Sequence, residues 1–226
     1  VGSIKEAAEG NHVDMIRGER STGSTLKPFL YAAMLEEGDL LPTEIMPDYP
    51  VRMGGFTPEN FGKEYSGALP ANEALARSLN VPAVWMLKQY GVSRFHAQLE
   101  ALGMRTLHRR PDDYGLTLII GGAEGTLWDL TALYAGLARS VTRSTGAGAS
   151  EGAFFEPTWQ TALASKQRDA AIDAGAAYLT LDALRTLKRP GIEQGWQLFA
   201  SGRPVAWKTG TSFGFRDAWA IGTNPT

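Results

Sequence analysis

Ser24 and Lys27 stand three positions apart in Ser21-Thr22-Gly23-Ser24-Thr25-Leu26-Lys27-Pro28-Phe29, a spacing that sets a hydroxyl and an amine on one side of a helix, one turn apart. A serine hydroxyl is a poor nucleophile near neutral pH and needs a base within hydrogen-bond reach, a role an unprotonated lysine can fill. One Ser-x-x-Lys is expected roughly by chance in a chain this long, and its plain reading is a helix cap followed by a solvated lysine. Arg77-Ser78-Leu79-Asn80 lies at the join of two helical patterns. There Ser78 and Asn80 either point into a cleft or cap the helix ahead of Pro82. Lys208-Thr209-Gly210 lies in a Val/Trp/Thr-rich run that reads as a strand. That triplet is expected by chance well under about 0.1 times, and an edge-strand lysine discouraging aggregation is its weaker reading.

The elements that must position these residues follow from local pattern. Leu26, Phe29, Leu30, Ala33 and Met34 recur at the spacing of a helix with one buried face, and Gly38 stops it. Ser24 falls at or next to the cap and Pro28 in the first turn, so the hydroxyl is expected at the positive helix end, which suits an oxyanion. Residues 39–70 carry prolines 42, 47, 50, 58 and 70 and glycines 54, 55, 62 and 67, and read as an irregular surface segment. Ala71 to Ser78 reads as a short helix and Pro82 to Tyr90 as another, ending at Gly91. Ser93 is expected to cap a helix with Phe95, Leu99 and Leu102 inward and Gly103 as its stop, and Thr126 to cap the next. Ser140 to Ala153 reads as a low-complexity Ser/Thr/Gly/Ala loop, and a last helix is expected from about Ile172 to Lys188. Val205 to Ser212, a turn at Phe213-Gly214-Phe215, and Asp217 to Ile221 read as two paired strands, and Val1 to Ile4 as the tail of another.

Length and composition bound the rest. The chain has 226 residues, 43% hydrophobic and 20% charged, enough for one globular domain with a sizeable core. A net charge of −2, with no basic run, argues against nucleic acid as a partner. With no cysteine there is no disulfide, thiolate metal site or thiol nucleophile. No metal and no cofactor is called for. No apolar run approaches the length of a membrane span. A Ser-His-Asp triad is the mechanistic competitor, but His12, His96 and His108 lie in no motif-like setting and there is no Gly-x-Ser-x-Gly elbow. His96 reads as a surface or half-buried residue.

The three patterns each occur once, in the order Ser-x-x-Lys, Ser-x-Asn, Lys-Thr-Gly. That set resembles the penicillin-interacting serine enzymes, namely transpeptidases, D,D-carboxypeptidases and serine β-lactamases. Arg20 to Phe29, Leu75 to Pro82, Gly121-Gly122-Ala123-Glu124 and Ala206 to Gly222 are similar to a class A penicillin-binding protein, most closely of the 1C type. The resemblance covers nearly the whole chain and is weakest at 39–70 and 140–170.

The resemblance implies a peptidoglycan D,D-transpeptidase that cross-links D-Ala-D-Ala stem peptides through a serine acyl-enzyme and binds β-lactam antibiotics covalently. It makes Ser24 the nucleophile and Lys27 the base, its pKa lowered by desolvation and by Lys208. Ser78 would relay a proton between Lys27, Lys208 and the leaving amine, and Asn80 would hold Lys27 and the substrate amide. The oxyanion would sit between the backbone N–H groups of Ser24 and Thr211. Thr209, Thr211 and Lys208 would bind the terminal carboxylate, the peptide adding to the strand edge where Gly210 leaves room. D,D-carboxypeptidase and serine β-lactamase remain alternatives within the superfamily, and a non-catalytic β-lactam sensor is an alternative of another class. A class A β-lactamase would need a Glu-x-x-Leu-Asn pattern, and the nearest match, Glu124-Gly125-Thr126-Leu127-Trp128, has Trp in place of Asn.

The fold implied is α/β in the α+β sense, a helical region with an antiparallel sheet. Five strands are expected, with the Lys-Thr-Gly strand at one edge, Val1 to Ile4 at the other, and two central strands beyond the ends of the sequence. Residues 204–222 are then expected as an isolated hairpin with no ladder to Val1 to Ile4. Residues 1–226 read as part of a transpeptidase domain. Its parent would carry a glycosyltransferase domain and a membrane anchor upstream and work on the periplasmic face of the bacterial inner membrane.

Overall fold

The helix entered from Ser24 lies at the centre of the molecule. The computed structural model describes residues 14–143, 152–158, 160, 165–168, 172–186 and 205–224. In it α1 (Lys27–Glu36) is buried on every side from Lys27 to Met34, where the sequence pattern predicts a single buried stripe. Tyr31 and Ala32, between the stripe positions, are themselves apolar or small and are each 0% exposed. Around it pack α2 (Ala71–Ala76), α3 (Asn80–Tyr90) and α7 (Ala174–Arg185). The shell is completed by α4 (Val92–Leu102), α5 (Pro111–Tyr114), a 3₁₀ turn at Gly115–Ile120 and α6 (Leu127–Arg143). Phe29 and Leu30 of α1, Leu87 of α3, Phe95 and Leu99 of α4, Leu137 of α6 and Leu181 of α7 belong to one continuous core. Each such side chain contributes about 1.5–3 kcal/mol by leaving water.

The expected stops and caps at Gly38, Gly103 and Thr126 are present. Gly38 (φ 76°) ends α1 with its own N–H on Leu35 O and that of Asp39 on Met34 O. Gly103 (φ 113°) ends α4 in the same way, and Thr126 Oγ1 accepts the Asp129 N–H at 3.0 Å. Other boundaries differ. α3 starts at Asn80, two residues before Pro82, because a proline in the first turn gives up no hydrogen bond. α4 starts at Val92, with Ser93 inside its first turn and Gly91 ahead of it. α6 continues through the start of the expected loop to Arg143, and residues 144–151 lie outside the described set. α7 is shorter than expected and is capped by Asp173, which accepts the Ala176 N–H at 2.8 Å.

Residues 39–70 are not structureless. β2 (Ile45–Asp48) pairs antiparallel with β3 (Gly67–Pro70), from Ile45 opposite Pro70 to Asp48 opposite Gly67. Pro47 and Pro70 hide this pairing in the sequence, since proline argues against a strand, yet a two-stranded ribbon consists only of edges, where proline is tolerated. β1 (Arg20–Ser21) pairs with β4 (Glu124–Gly125). β5 (Ala206–Thr211) and β6 (Ala218–Thr223) form the expected hairpin across Phe213–Phe215, with Lys208 opposite Ile221 and Thr211 opposite Ala218. Among the described residues β5 and β6 make a two-stranded sheet. Val1 to Ile4, and with them the expected strand order, lie outside the described residues. Among those residues no helix is long and apolar enough to cross a membrane.

Candidate active site

The turn that carries Ser24 is held by hydrogen bonds to the Gly121–Ala123 turn. Thr22 donates to Ala123 O through its N–H at 2.9 Å and its hydroxyl at 3.1 Å, and Ser21 Oγ donates to Gly121 O at 2.8 Å. Thr25 closes the turn onto Thr22 O through both its N–H and its hydroxyl, and the buried Tyr134 hydroxyl donates to Thr25 O at 2.7 Å. Ser24, expected at or next to the helix cap, stands two residues ahead of it: Leu26 is the cap, and Ser24 follows Gly23 in its left-handed conformation (φ 52°). A helix dipole fades within its first turn, so ahead of the cap only individual backbone N–H groups offer positive charge.

Those groups come from two chain segments in near contact. A Cβ built on Gly210 of β5 would lie 2.5 Å from Thr22 O and 3.2 Å from Ser24 N, and one built on Gly23 would lie 2.5 Å from Thr211 N. Only two glycines let the strand backbone rest on the serine turn, which brings the Ser24 and Thr211 amides side by side. On the side where a Gly210 side chain would stand, the space is filled by Thr22 and Thr25. Trp219 of β6 fastens the hairpin to the same turn through Nε1 to Ser21 O at 2.8 Å.

The α2–α3 junction supplies the facing wall. α2 ends with Ser78 N–H on Leu75 O and Leu79 N–H on Ala74 O, the paired closure that normally uses glycine in the left-handed position. Ser78 takes that conformation instead (φ 59°), at a cost of about 1–2 kcal/mol for an L residue. The reversal turns two backbone carbonyls onto Lys27, whose Nζ donates to Ser78 O at 2.8 Å, Leu79 O at 3.1 Å and Asn80 Oδ1 at 2.7 Å. Lys208 Nζ donates to Ser78 Oγ at 2.6 Å and Thr209 O at 2.7 Å. Both lysines are almost wholly buried. Burial, and secondarily the Lys208 charge, hold the Lys27 pKa well below its ordinary value.

These groups meet in a cleft of about 560 Å³, lined by Ser24, Ser78, Asn80, Lys208, Thr209 and Thr211 together with Asn60 and Phe61 from the 39–70 segment. Lys27 is joined to this lining through Asn80 Oδ1. The cleft thus collects residues separated by up to 187 positions (211 − 24). Among the described residues no group of His, Cys, Asp and Glu is disposed to hold a metal ion.

The sequence and the fold both have counterparts among known proteins. The family model described as the penicillin binding protein transpeptidase domain matches residues 6–225. The chain belongs to this transpeptidase-domain family. Penicillin-binding protein 1C of Escherichia coli strain K12 is 38% identical over 226 residues, 99% of this chain and 27% of that protein. Penicillin-binding protein 1A of Neisseria cinerea is 28% identical over 221 residues, 91% of this chain and again 27% of the relative. The chain therefore spans about a quarter of the length of these curated relatives. The solved structure of penicillin-binding protein PonA1 from Mycobacterium tuberculosis superposes with a TM-score of 0.74 at 21% identity, over 97% of this chain and 61% of that one. PonA1 in complex with penicillin V gives 0.71 at 22%, over 96% and 60%. These likenesses establish the penicillin-binding transpeptidase fold, α+β, for this chain.

Within that domain three positioning residues escape the sequence: Thr22, Tyr134 and Trp219, each a common residue type in an ordinary helix, turn or strand. The two described histidines stay out of the cleft. His96 is buried, not at the surface, with Nε2 at 3.1 Å from Arg109 O. His108 is at 3.0 Å from Glu19, and His12 lies outside the described residues. Glu124 is bound to Arg109 at 2.7 Å on the outside of the molecule and does not line the cleft.

Proposed function

We propose that this chain is the catalytic part of a peptidoglycan D,D-transpeptidase acting through a Ser24 acyl-enzyme. The observation that carries the reading is that Ser24, Ser78, Asn80 and Lys208 line one cleft, with Lys27 bonded to Asn80 and Lys208 to Ser78. Ser24 Oγ attacks the carbonyl carbon of the D-Ala-D-Ala bond while its proton passes to Lys27, and the carbonyl oxygen becomes an oxyanion between the Ser24 and Thr211 amides. Lys27 in its resting arrangement donates three hydrogen bonds, the full complement of an ammonium. A neutral amine has two N–H groups and a lone pair, so one of these contacts opens when Lys27 takes its basic form. Ser78, linked to Lys208, gives its proton to the departing D-Ala nitrogen as the C–N bond breaks and takes in its place the one that Lys27 received. An amine from a neighbouring stem peptide then attacks the ester carbonyl, loses a proton to Lys27, and Ser24 Oγ leaves with that proton. Thr209, Thr211 and the Lys208 charge face the place of the terminal carboxylate.

A β-lactam enters the same chemistry as an acyl donor, and the penicillin V complex of PonA1 supports that reading. Hydrolytic β-lactamase action is disfavoured because Glu124 is engaged with Arg109 away from the cleft. A sensor domain would trap penicillin and leave stem peptides uncoupled. By its resemblance the chain is further proposed to belong to a longer parent with a glycosyltransferase domain and a membrane anchor, working on the periplasmic side; that it spans 27% of Escherichia coli penicillin-binding protein 1C leaves room for such parts. Labelling with a fluorescent penicillin followed by mass spectrometry of the modified peptide is expected to map to Ser24 and to vanish in Ser24→Ala. Labelling that persists, or maps to Ser78, refutes the assignment.

A further inference from the structure

Asn60 reaches the cleft from the 39–70 segment, and its side-chain amide is fully committed to protein partners. Oδ1 accepts the backbone N–H groups of Asn80 at 2.9 Å and Val81 at 3.2 Å, while Nδ2 donates to Asp48 Oδ1 at 2.6 Å and to Glu64 O at 3.0 Å. Only this orientation of the amide sets an acceptor against the two N–H groups and a donor against the two oxygens. Asp48 is 0% exposed, and its second oxygen accepts the Ser66 N–H at 2.8 Å. Both partners are therefore buried, Asn60 being 4% exposed.

The contact has a definite task. The first N–H groups of a helix lack partners within it, and a side chain at the cap position ordinarily takes one. The cap position of α3 is Leu79, which makes no such bond. Asn60 thus caps α3 from 19 positions upstream (79 − 60) and is itself steered by a carboxylate on β2. The helix start it pins is where Lys27 finds its acceptors, Asn80 Oδ1 and the carbonyls of the two preceding residues. The Asn80 amide is also turned by this segment, through Nδ2 to Glu59 O at 2.7 Å.

We propose that Asp48 and Asn60 are a positioning pair for the reaction, transmitting the register of the β2–β3 ribbon to the three acceptors that hold Lys27. Neither touches the reacting atoms. The inference rests on the reading of Ser24 and Lys27 given above, and it explains why a long surface excursion closes on itself as a ribbon before returning to the junction.

The test is penicillin acylation of the full-length protein, with the reactive fraction titrated so that rates are expressed per reactive site. Asn60→Ala is expected to slow acylation roughly 10- to 100-fold, what losing one or two buried hydrogen bonds is worth, with the dissociation constant of the non-covalent complex changed less than about threefold. Asp48→Asn sets a donor against a donor and is expected to slow it similarly. The double variant Asp48→Asn/Asn60→Asp restores the bond between the two side chains with donor and acceptor exchanged but turns a carboxylate oxygen onto Glu64 O, so it is expected to recover only part of the loss and to acylate faster than the slower single variant. An unchanged per-site rate in Asn60→Ala, or a double variant no faster than the slower single one, overturns the pair while leaving the Ser24 reading intact. Failure of the wild type to acylate at Ser24 overturns both.

Discussion

Replacing Gly210 by alanine isolates the contact that brings the third motif to the first. Gly210 is not in a left-handed conformation, so alanine costs nothing in backbone strain and the effect is steric. The new Cβ would sit 2.5 Å from Thr22 O and 2.8 Å from Thr25 Cγ2, whereas carbon and carbonyl oxygen settle no closer than about 3.3 Å. The strand and the turn must separate by roughly 0.8 Å, and neither yields freely: Thr22 and Thr25 are each fixed by hydrogen bonds, and Lys208 is anchored to Ser78. Overpacking of this kind costs about 1–3 kcal/mol. The separation also carries the Thr211 amide away from Ser24, and a misplacement near 1 Å at a reacting centre costs about 100-fold in rate, close to 2.7 kcal/mol of barrier. Gly210→Ala is therefore expected to acylate with penicillin about 100-fold more slowly and to unfold about 1–3 kcal/mol more easily in urea. Gly62, which lines the same cleft with nothing within 4 Å of its would-be Cβ, is the control, and Gly62→Ala should change stability by less than about 0.5 kcal/mol. Acylation of Gly210→Ala within about threefold of wild type would show that the close approach does not set the oxyanion site.

The pH dependence of acylation is expected to rise as Lys27 loses its proton, with the ascending limb well below the ordinary lysine range because burial, then Lys208, disfavours the ammonium. Lys208→Gln should move that limb to higher pH and Lys208→Arg should not; an unmoved limb in Lys208→Gln would refute the coupling. The same depressed pKa means that the unfolded chain binds more protons between the folded and unfolded values. Lys27's contribution to stability should therefore rise with pH across that window, and Lys27→Met should remove that contribution from the slope. At Ser78, with its φ of 59°, Ser78→Gly should be about 0.5–1 kcal/mol more stable than Ser78→Ala, left-handed relief outweighing the entropy of the unfolded glycine. Both should acylate slowly for want of the hydroxyl, and alanine equal to glycine in urea denaturation would refute the strain.

The chemistry was more legible in the sequence than the framework around it, for a physical reason. In the proposed reaction nucleophile, base and relay must be particular residue types, so Ser24, Lys27, Ser78, Asn80 and Lys208 stand out as motifs. The groups that aim them need only offer one donor or acceptor in the right place. Tyr134 on Thr25 O, Trp219 on Ser21 O and Asn60 on the start of α3 are such groups, and nothing local in the sequence separates them from any other tyrosine, tryptophan or asparagine. The ribbon within 39–70 was hidden by its prolines. Gly210 shows a further kind of ambiguity. A glycine in a strand announces that some backbone comes close, but sequence does not say whose. Here the close backbone is the serine turn, and Gly23 answers it from the other side with its own left-handed φ. The two glycines belong to motifs 187 positions apart (210 − 23), and each is legible only through the other. A substitution at either one should therefore disturb the same separation. The double variant Gly23→Ala/Gly210→Ala should lose less than the sum of the single losses, since one displacement of the strand relieves both clashes.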